Sequence, residues 1–239
     1  MKKINILSVI IPCFNEENTI ESIVEEVLAV PTQDIKKEII IIDDCSTDNS
    51  FKIIRRLSNK YSEVIGYKQK HNMGKGAALK LGFSKSIGDI VIIQDADREY
   101  DPKDYLKMIQ LFKEDRSDIV FGSRFSGGAP RRVIYLTNKI ANKFMTRLSA
   151  VLSGLYVSDI HTCYIMFNGN WIRDNSKTLN SKRFGFNPEI LARIASQKNS
   201  LRICEVGISS FGTTKSDGKK IRFKDGIEAI YEIIKYNLF

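Results

Sequence analysis

Short runs of β-branched and apolar residues alternate with segments of helical periodicity through the first half of the chain. The runs predict strands over residues 6–11, 38–42, 64–68, 89–93 and 118–122. The segments between them predict helices over residues 17–29, 46–61, 74–86 and 102–114, the last with Asp101 as its N-cap and Pro102 at its first position. Four successive strand–helix units are typical of an α/β fold with a mostly parallel open sheet and helices on both faces. Ligands of such sheets bind beyond the carboxyl ends of the strands, so chemistry is expected there.

The second half of the chain carries all of the excess positive charge. Residues 1–123 contain 18 Lys and Arg and 20 Asp and Glu, a balance of −2, whereas residues 124–239 contain 19 and 8, a balance of +11. A basic half indicates phosphate-bearing partners, namely anionic lipid, phosphorylated small molecules or nucleic acid, although a solvated basic face has the same composition. No stacking platform or helix-turn-helix pattern accompanies the charge, which disfavours nucleic acid.

A basic amphipathic segment lies near the start of this second half. After a glycine-rich loop at residues 126–130, residues 133–157 have a helical periodicity in which apolar and basic positions are interleaved. Such a segment either lies on a membrane interface or packs one face on the body of the protein, and the sequence leaves both open. Beyond it we predict a strand at residues 202–209, a loop at 212–220 and a helix at 225–236.

Length and composition indicate a single globular domain over residues 1–239. With 43% apolar and 27% charged residues, the chain can bury a core without disulfides or a structural metal. The N-terminal residues lack the pattern of a signal peptide, and no window reaches the roughly 18 apolar residues of a spanning helix. No cysteines have the C-x-x-C spacing, which favours a reducing, cytoplasmic setting; they are Cys13, Cys45, Cys163 and Cys204.

Polar side chains cluster after four of the predicted strands. The clusters are Pro12-Cys13-Phe14-Asn15-Glu16, Asp43-Asp44-Cys45-Ser46-Thr47-Asp48, Asn72-Met73-Gly74-Lys75-Gly76 and Gln94-Asp95-Ala96-Asp97. Helix caps and turns explain any one of them, but they do not require all four to line one edge of one sheet. Since the chain has only two histidines, His71 and His161, we expect carboxylates to do the chemistry at this edge.

Asp95 and Asp97 are predicted to bind a divalent metal ion. Side chains two residues apart at a strand end point to the same side, so both carboxylates can reach one ion. Oxygen ligands without His or Cys favour Mg²⁺ or Mn²⁺, with water and substrate phosphates completing the coordination. The glycines around Lys75 resemble a phosphate-binding loop, but neither the P-loop spacing nor G-x-G-x-x-G is present. A P-loop ATPase and a Rossmann dehydrogenase are therefore disfavoured.

In their order and spacing these motifs resemble those of the family 2 glycosyltransferases, which have the GT-A fold. The resemblance rests on the four clusters and on Gly122-Ser123-Arg124-Phe125, and it covers nearly the whole chain. Further motifs make the chain most similar to the dolichol-phosphate or polyprenyl-phosphate sugar synthases; they are Glu99-Tyr100-Asp101-Pro102, Thr162-Cys163-Tyr164 and Gly218-Lys219-Lys220-Ile221. We therefore expect a nucleotide-sugar-binding half at residues 1–123 and a basic half on the acceptor and membrane side at 124–239.

The resemblance implies a role for each matching position. The residues expected to hold the nucleotide-sugar are Pro12, Asn15, Glu16, Asp44, Lys75, Gln94 and Asp95. Asp95 and the catalytic Asp97 would place Mg²⁺ or Mn²⁺ on the diphosphate of a UDP- or GDP-sugar. Transfer would invert the anomeric centre, with the metal neutralising the departing diphosphate.

The expected acceptor is polyprenyl or dolichyl phosphate, and the alternative is a sugar hydroxyl in cell-surface polysaccharide synthesis. A lipid phosphate is already nucleophilic and needs cations, for which Arg124, Arg131 and Arg132 are the candidates. A hydroxyl needs a carboxylate base, for which Asp159 and Glu189 are the candidates. A third alternative is a nucleotide-binding or membrane-scaffold protein that kept the fold and lost the activity, and the predicted metal pair argues against it.

The chain departs from this branch at positions that bear on the acceptor. Arg98 replaces an aliphatic residue, His161 stands where an acidic residue is common, and residues 205–214 lack an arginine often found there. Lys215 or Lys219 could take over the phosphate contact of that arginine. The C-terminal transmembrane helices of some relatives are missing, so we expect peripheral attachment at the cytoplasmic face of a membrane.

Overall fold

A seven-stranded sheet with the spatial order β3-β2-β1-β4-β6-β5-β7 forms the centre of the protein. The computed structural model describes residues 2–133, 136–181, 183, 185–211 and 223–238. The strands are β1 (Ile6–Cys13), β2 (Lys36–Asp43), β3 (Val64–Lys68), β4 (Ile90–Ile93), β5 (Ile119–Ser123), β6 (Ile165–Asn168) and β7 (Ile203–Gly207). All run in one direction except β6, which is antiparallel to both of its neighbours. The prediction of a mostly parallel α/β sheet is confirmed.

The direction of β6, which the sequence analysis did not anticipate, follows from where the chain re-enters the sheet. The hydroxyl oxygens of Ser123, at the end of β5, and Ser158 lie 2.5 Å apart. The chain therefore returns to the edge of the sheet from which it left β5. From there β6 can only run back between β4 and β5, so strands from the two halves of the chain share one sheet.

Helices cover both faces of the sheet. They are α1 (Ile20–Ala29), α2 (Ser50–Lys60), α3 (Lys75–Lys85), α4 (Tyr105–Lys113), α5 (Leu136–Ser153), α6 (Gly169–Ser176), α7 (Phe186–Ser196) and α8 (Phe223–Leu238). Asp101 caps the 3₁₀ turn that leads into α4, as predicted, because its side chain accepts a hydrogen bond of 2.9 Å from the Lys103 amide. The predicted loop at 212–220 lies outside the described residues. Among the helices described, none has the length and apolar character needed to span a membrane.

The core lies on both faces because successive side chains of a strand point to opposite sides. In β1, Val9 and Ile11 pack in a cluster with α1, α2 and α4, whereas Ile10 packs in a second cluster with α3 and α7. Gly82 lets α3 lie close to β1, since a Cβ there would be 2.3 Å from Cγ2 of Ile10. This close packing brings the first residue of α3, Lys75, to the carboxyl ends of the strands.

Candidate active site

The loops after β1 and β2 are fastened to each other. Asn15 has a positive φ of 55°, its amide donates to Oγ of Ser46 at 3.0 Å, and its Oδ1 accepts from the Thr47 amide at 2.9 Å. The Glu16 amide donates to Oγ of Ser50 at 2.8 Å. Of the predicted nucleotide ligands, Asn15 and Glu16 therefore build the rim of the site, whereas the half-buried Pro12 lies in β1 beside them.

Asp44 holds the loop that leads into α3. Its carboxylate is almost fully buried and accepts hydrogen bonds from Nε2 of Gln69 (3.0 Å) and from the amides of Met73 (2.7 Å) and Gly74 (2.8 Å). Gly74 has a φ of 90°, a left-handed conformation that favours glycine. The structure thus connects the β2 cluster to the Lys75 cluster through one carboxylate.

Lys75 lies against the predicted metal pair. Its Nζ is 2.5 Å from Oδ1 of Asp95, and the two side chains are 23% and 15% exposed. Burial lowers the pKa of Lys75, but Asp95 and Cys163 together raise it by more, so the pKa lies above its usual value and the ammonium stays charged. Lys75 therefore supplies a permanent positive charge next to Asp95.

Asp97 lies near two other carboxylates, those of Asp95 and Glu99. Its Oδ1 accepts a hydrogen bond from the Glu99 amide at 3.1 Å. Burial and the negative charges of Asp95 and Glu99 raise the pKa of Asp97 to about 7. Such a group is stabilised by a nearby cation, and this observation fits the predicted Mg²⁺ or Mn²⁺.

The donor set also fits an ion that is completed by its substrate. In the described part of the chain, no group of three or more His, Cys, Asp or Glu side chains could enclose a metal ion. Mg²⁺ in phosphate-transfer sites is commonly held by one or two carboxylates, with water and substrate phosphates as the remaining ligands. Asp95 and Asp97 would be those carboxylates.

Mn²⁺ is expected to stabilise the protein more at pH 8 than at pH 6. The raised pKa of Asp97 means that the metal-free folded protein loses stability as the pH rises through about 7, where the carboxyl group ionises. Bound Mn²⁺ offsets this repulsion above pH 7, whereas a proton competes with the metal below it. Thermal unfolding with and without Mn²⁺ at both pH values measures the effect. In Asp97→Asn the difference should vanish, and equal stabilisation of the unsubstituted protein at both pH values would contradict the assignment.

Arg124 and Asp159 form a buried ion pair. Nε and Nη2 of Arg124 donate to Oδ2 and Oδ1 of Asp159 at 2.7 and 2.9 Å, and Nη1 donates to Oε1 of Glu99 at 3.1 Å. Asp159 is fully buried and also accepts from Nδ2 of Asn142 at 3.1 Å. Burial raises the pKa of Asp159, but the Arg124 guanidinium lowers it by more, so it lies below the usual value.

This ion pair argues against two of the predicted roles, that of Asp159 as a base and that of Arg124 as a phosphate clamp. A general base needs a pKa near the working pH and access to the proton that it removes, and Asp159 has neither. Arg124 was predicted to clamp the acceptor phosphate, but its guanidinium already binds two carboxylates, so the group carries no excess positive charge. In the structure Asp159 holds Arg124, and Arg124 holds the side chain of Glu99, whose amide donates to Asp97.

Glu189, the second predicted base, is also occupied. It lies in the first turn of α7, is 2% exposed and accepts hydrogen bonds from the amides of Asn180 and Ser181, both at 2.8 Å, and from Oγ of Ser181 at 2.6 Å. These donors use both carboxylate oxygens to hold the loop before α7. The structure therefore does not support Glu189 as a base.

Gln94 and Arg98 each have a structural partner, whereas Nε2 of His161 is buried without a hydrogen-bond partner among the described residues. Gln94 is fully buried; its Oε1 accepts from the Tyr105 hydroxyl at 2.7 Å, and its Nε2 donates to the Tyr100 backbone oxygen at 3.3 Å, so both ends of the side chain bind protein groups. Arg98 forms an ion pair of 2.5 Å with Glu26 of α1. Burial lowers the pKa of His161 to about 4, so its imidazole is neutral at pH 7.

Arg131 and Arg132 are the predicted acceptor cations that the structure leaves exposed. Nη1 of Arg131 donates to the backbone oxygen of Arg124 at 2.5 Å, and its guanidinium lies 5.4 Å from the centre of the Phe125 ring. The Arg132 amide donates to the backbone oxygen of Ser210 at 2.8 Å. Both arginines thus border the site at the end of β5. Lys215 and Lys219 lie outside the described residues.

Sequence reasoning missed three residues that border the site. Glu99 was noted only as part of a motif, although it lies between Arg124 and Asp97. Cys163 interacts electrostatically with Lys75 and Asp95, and burial raises the pKa of its thiol. The sequence does contain a signal for Asn142. Asn142, Thr146 and Ser149 form a polar stripe at helical spacing inside the segment predicted to be amphipathic.

A sequence model described as glycosyl transferase family 2 matches residues 8–174, which contain all four polar clusters and Arg124. The chain belongs to glycosyl transferase family 2. This glycosyltransferase is 30% identical to the UDP-N-acetylglucosamine–dolichyl-phosphate N-acetylglucosaminyltransferase of Methanococcus voltae, over 96% of this chain and 95% of that protein. It is also 30% identical to a dolichyl-phosphate beta-glucosyltransferase of Dictyostelium discoideum, over 96% of this chain and 73% of that protein. The predicted similarity to the dolichyl- and polyprenyl-phosphate branch is confirmed.

Solved structures agree on the fold of this family 2 glycosyltransferase. Glucosyl-3-phosphoglycerate synthase from Mycobacterium tuberculosis, crystallised with Mn²⁺, UDP and phosphoglyceric acid, matches with a TM-score of 0.69 at 17% identity, over 98% of this chain and 79% of that one. Mannosyl-3-phosphoglycerate synthase from Rubrobacter xylanophilus matches with a TM-score of 0.69 at 15% identity, over 97% and 72%. At these identities the likeness establishes the GT-A fold alone, as predicted.

Proposed function

We propose that this family 2 glycosyltransferase transfers a hexose from a UDP- or GDP-sugar to polyprenyl or dolichyl phosphate, with Mg²⁺ or Mn²⁺ as cofactor. The proposal agrees with the acceptors that appear in the names of its relatives. It also follows the sequence motifs of the synthase branch.

The observation that carries the proposal is the sequestration of both predicted bases. Asp159 is fully buried in a two-point ion pair with Arg124, and Glu189 is hydrogen-bonded on both oxygens. A sugar hydroxyl must lose a proton as it attacks, so that acceptor needs a base. A phosphate monoester with a second pKa of about 6 is already an anion at neutral pH and needs none. The site therefore favours the phosphate acceptor over the hydroxyl of a polysaccharide.

On the donor side, the rim built by Asn15, Glu16 and Asp44 would hold the nucleoside, and Asp95 with Asp97 would hold the metal. The metal, when bound, neutralises charge that develops on the leaving diphosphate. Lys75 supplies a second positive charge from the same side, because its ammonium is held charged against Asp95.

On the acceptor side, an oxygen of the lipid phosphate would attack the anomeric carbon as the bond to the diphosphate breaks. The new bond joins the phosphate oxygen to the sugar, and the nucleoside diphosphate leaves with the electron pair, so no proton has to be removed. Arg131 and Arg132 are the first exposed cations that follow Arg124 in the sequence and are proposed to attract the incoming phosphate. Since the prenyl chain resides in a bilayer, we place the reaction at a membrane surface, on the cytoplasmic side as the sequence predicts.

The test is incubation of the purified protein with Mn²⁺ or Mg²⁺, a panel of UDP- and GDP-sugars, and undecaprenyl or dolichyl phosphate in detergent. Mass spectrometry of the lipid fraction should detect a lipid phosphate that has gained the mass of one sugar residue. The product should require both the metal and the phosphorylated lipid, and the free prenyl alcohol serves as the matched control acceptor.

Two results would overturn the proposal. Donor consumption only with a glycan acceptor would move the chemistry to a hydroxyl and require a base other than Asp159 and Glu189. Neither transfer nor hydrolysis of any nucleotide-sugar, in a folded protein, would indicate a nucleotide-binding or scaffold protein.

A further inference from the structure

Helix α5 packs apolar side chains such as Leu148 against the core, but the rest of its surface departs from the usual distribution of side chains. Helices on the surface of globular proteins bury an apolar stripe and expose polar residues. The polar side chains that α5 buries are Asn142, Thr146 and Ser149, which are 8%, 3% and 1% exposed. The large apolar side chains that it exposes are Leu136 (69%), Ile140 (59%), Phe144 (58%) and Val151 (81%). Such a helix has a second apolar surface that its own fold does not cover.

The exposed apolar residues form one continuous stripe. At about 100° per residue, Leu136, Ile140, Phe144 and Val151 lie within an arc of about 80°. Arg147 falls inside that arc and is itself exposed. We call these five residues the outer face of α5. Over 18 residues the helix is about 27 Å long, so the outer face is an elongated strip and not an isolated exposed side chain.

The segment of the chain that carries the outer face is basic. Lys139 and Lys143 are exposed and flank it on one side. Residues 124–158 contain six Lys and Arg and no Asp or Glu. A partner that covers the outer face must therefore have both an apolar surface and negative charge.

The inner face of α5 connects the strip to the active site. Nδ2 of Asn142 donates to Asp159 at 3.1 Å, and Asp159 holds Arg124, whose partner Glu99 contacts Asp97. The outer face is thus separated from Asp159 by the width of one helix, about 10 Å, and Arg124 and Glu99 connect Asp159 to Asp97. Whatever docks on α5 lies beside the place where the acceptor phosphate must enter.

We infer that the outer face of α5 docks on the surface of an anionic lipid bilayer. A bilayer supplies an apolar layer for Leu136, Ile140 and Phe144 and negative headgroups for Lys139 and Lys143. A second copy of the chain is a poor occupant, because a symmetric dimer through this strip would place like charges against each other. The inference deepens the proposed function by naming the surface that meets the membrane holding the acceptor.

Vesicle binding tests the inference without any transfer reaction. The full chain is sedimented with vesicles of phosphatidylcholine alone and of phosphatidylcholine with 30% phosphatidylglycerol, in the absence of nucleotide-sugar and prenyl phosphate. We expect binding to the anionic vesicles that weakens as salt is raised. Because polyprenyl phosphate is absent, failure of the proposed acceptor chemistry and failure of docking are separate outcomes.

Matched surface variants show which face binds. The double substitution Ile140→Ser/Phe144→Ser and the charge variant Lys143→Gln/Arg147→Gln should each lower the partition coefficient at least tenfold. Ile87→Ser is the apolar control, because Ile87 is 66% exposed and precedes β4 at the opposite edge of the sheet. Lys52→Gln/Arg55→Gln on α2 is the charge control. Both controls should bind as the unsubstituted protein does.

Three results would overturn the inference. One is equal binding of the α5 variants and the unsubstituted chain, and another is equal binding to neutral and anionic vesicles. The third combines two observations: the unsubstituted chain does not bind vesicles, and analytical ultracentrifugation detects a dimer that the substitution Ile140→Ser/Phe144→Ser dissociates. That result would make the outer face of α5 a protein interface. Circular dichroism confirms folding, and since all substituted side chains are exposed, loss of fold is not expected.

Discussion

Substitution of Asp97 by Asn is expected to lower transferase turnover by about 10²-fold or more, together with the affinity for Mn²⁺. The amide keeps the shape of the side chain, and its oxygen can still accept the hydrogen bond from the Glu99 amide. What it removes is the negative charge that offsets a divalent cation. The substitution also relieves repulsion from Asp95 and Glu99, so stability in the absence of metal should not fall.

Initial rates and Mn²⁺ titration of the same preparations test this expectation. Asp101→Asn is the matched control. Asn caps a helical turn as well as Asp does, and Asp101 is not one of the two predicted metal ligands. Its rate should stay within about twofold of the unsubstituted enzyme, in keeping with the small cost of such a cap replacement. An Asp97→Asn enzyme that keeps its rate and its metal dependence would remove Asp97 from the metal site.

The sheet and its active edge could be predicted because burial on both faces leaves a strong pattern. β1 and β2 contain the apolar runs Val9–Ile11 and Ile39–Ile42, and polar residues begin soon after each run ends. β6 was not predicted because it has only three apolar residues, Ile165–Phe167, of which one is β-branched, whereas all four residues of β4 are aliphatic and β-branched. The antiparallel direction of β6 depends on the path of the chain through α5, which no local pattern records.

The chemistry of the site was less predictable than its place. Whether a carboxylate is a base, a metal ligand or an ion-pair partner depends on which cation lies next to it in space. Arg124 and Asp159 are 35 residues apart in sequence, and neither has a local signal of the other. Glu189 is likewise satisfied by a loop that precedes its own helix. That Lys75 lies close to Asp95 could be expected, because the strand ends bring those clusters to one edge of the sheet whatever their partners are.

Replacement of Asp159 by Ala is expected to lower the free energy of unfolding by about 3 kcal/mol or more, measured by urea denaturation. Arg124 would remain buried with Glu99 as its one remaining carboxylate partner among the described contacts. Removing one member of a buried pair costs more than the pair contributes, because the other charge stays desolvated. Asn142 would also lose the acceptor of its side-chain amide.

A second substitution separates this structural role from catalysis. In the Asp159→Ala background, Arg124→Met removes the unpaired charge and should recover part of the lost stability, an outcome that a missing catalytic base does not predict. Under conditions where Asp159→Ala is folded, its transfer rate per folded molecule should fall by much less than the roughly 10²-fold expected for a lost base. A stable Asp159→Ala enzyme with collapsed transfer would restore Asp159 as the base and the hydroxyl as the acceptor.

The pH dependence of stability gives an independent check on the same residue. Because the pKa of Asp159 is lowered in the folded protein, its contribution to stability is complete above its unfolded value of about 3.9 and is lost only as the pH falls through the folded pKa. Comparison of the unsubstituted protein with Asp159→Ala should therefore show a constant stability difference from pH 5 to 8 that shrinks in acid. A base poised for catalysis would instead titrate within that neutral range, and the transfer rate would follow it.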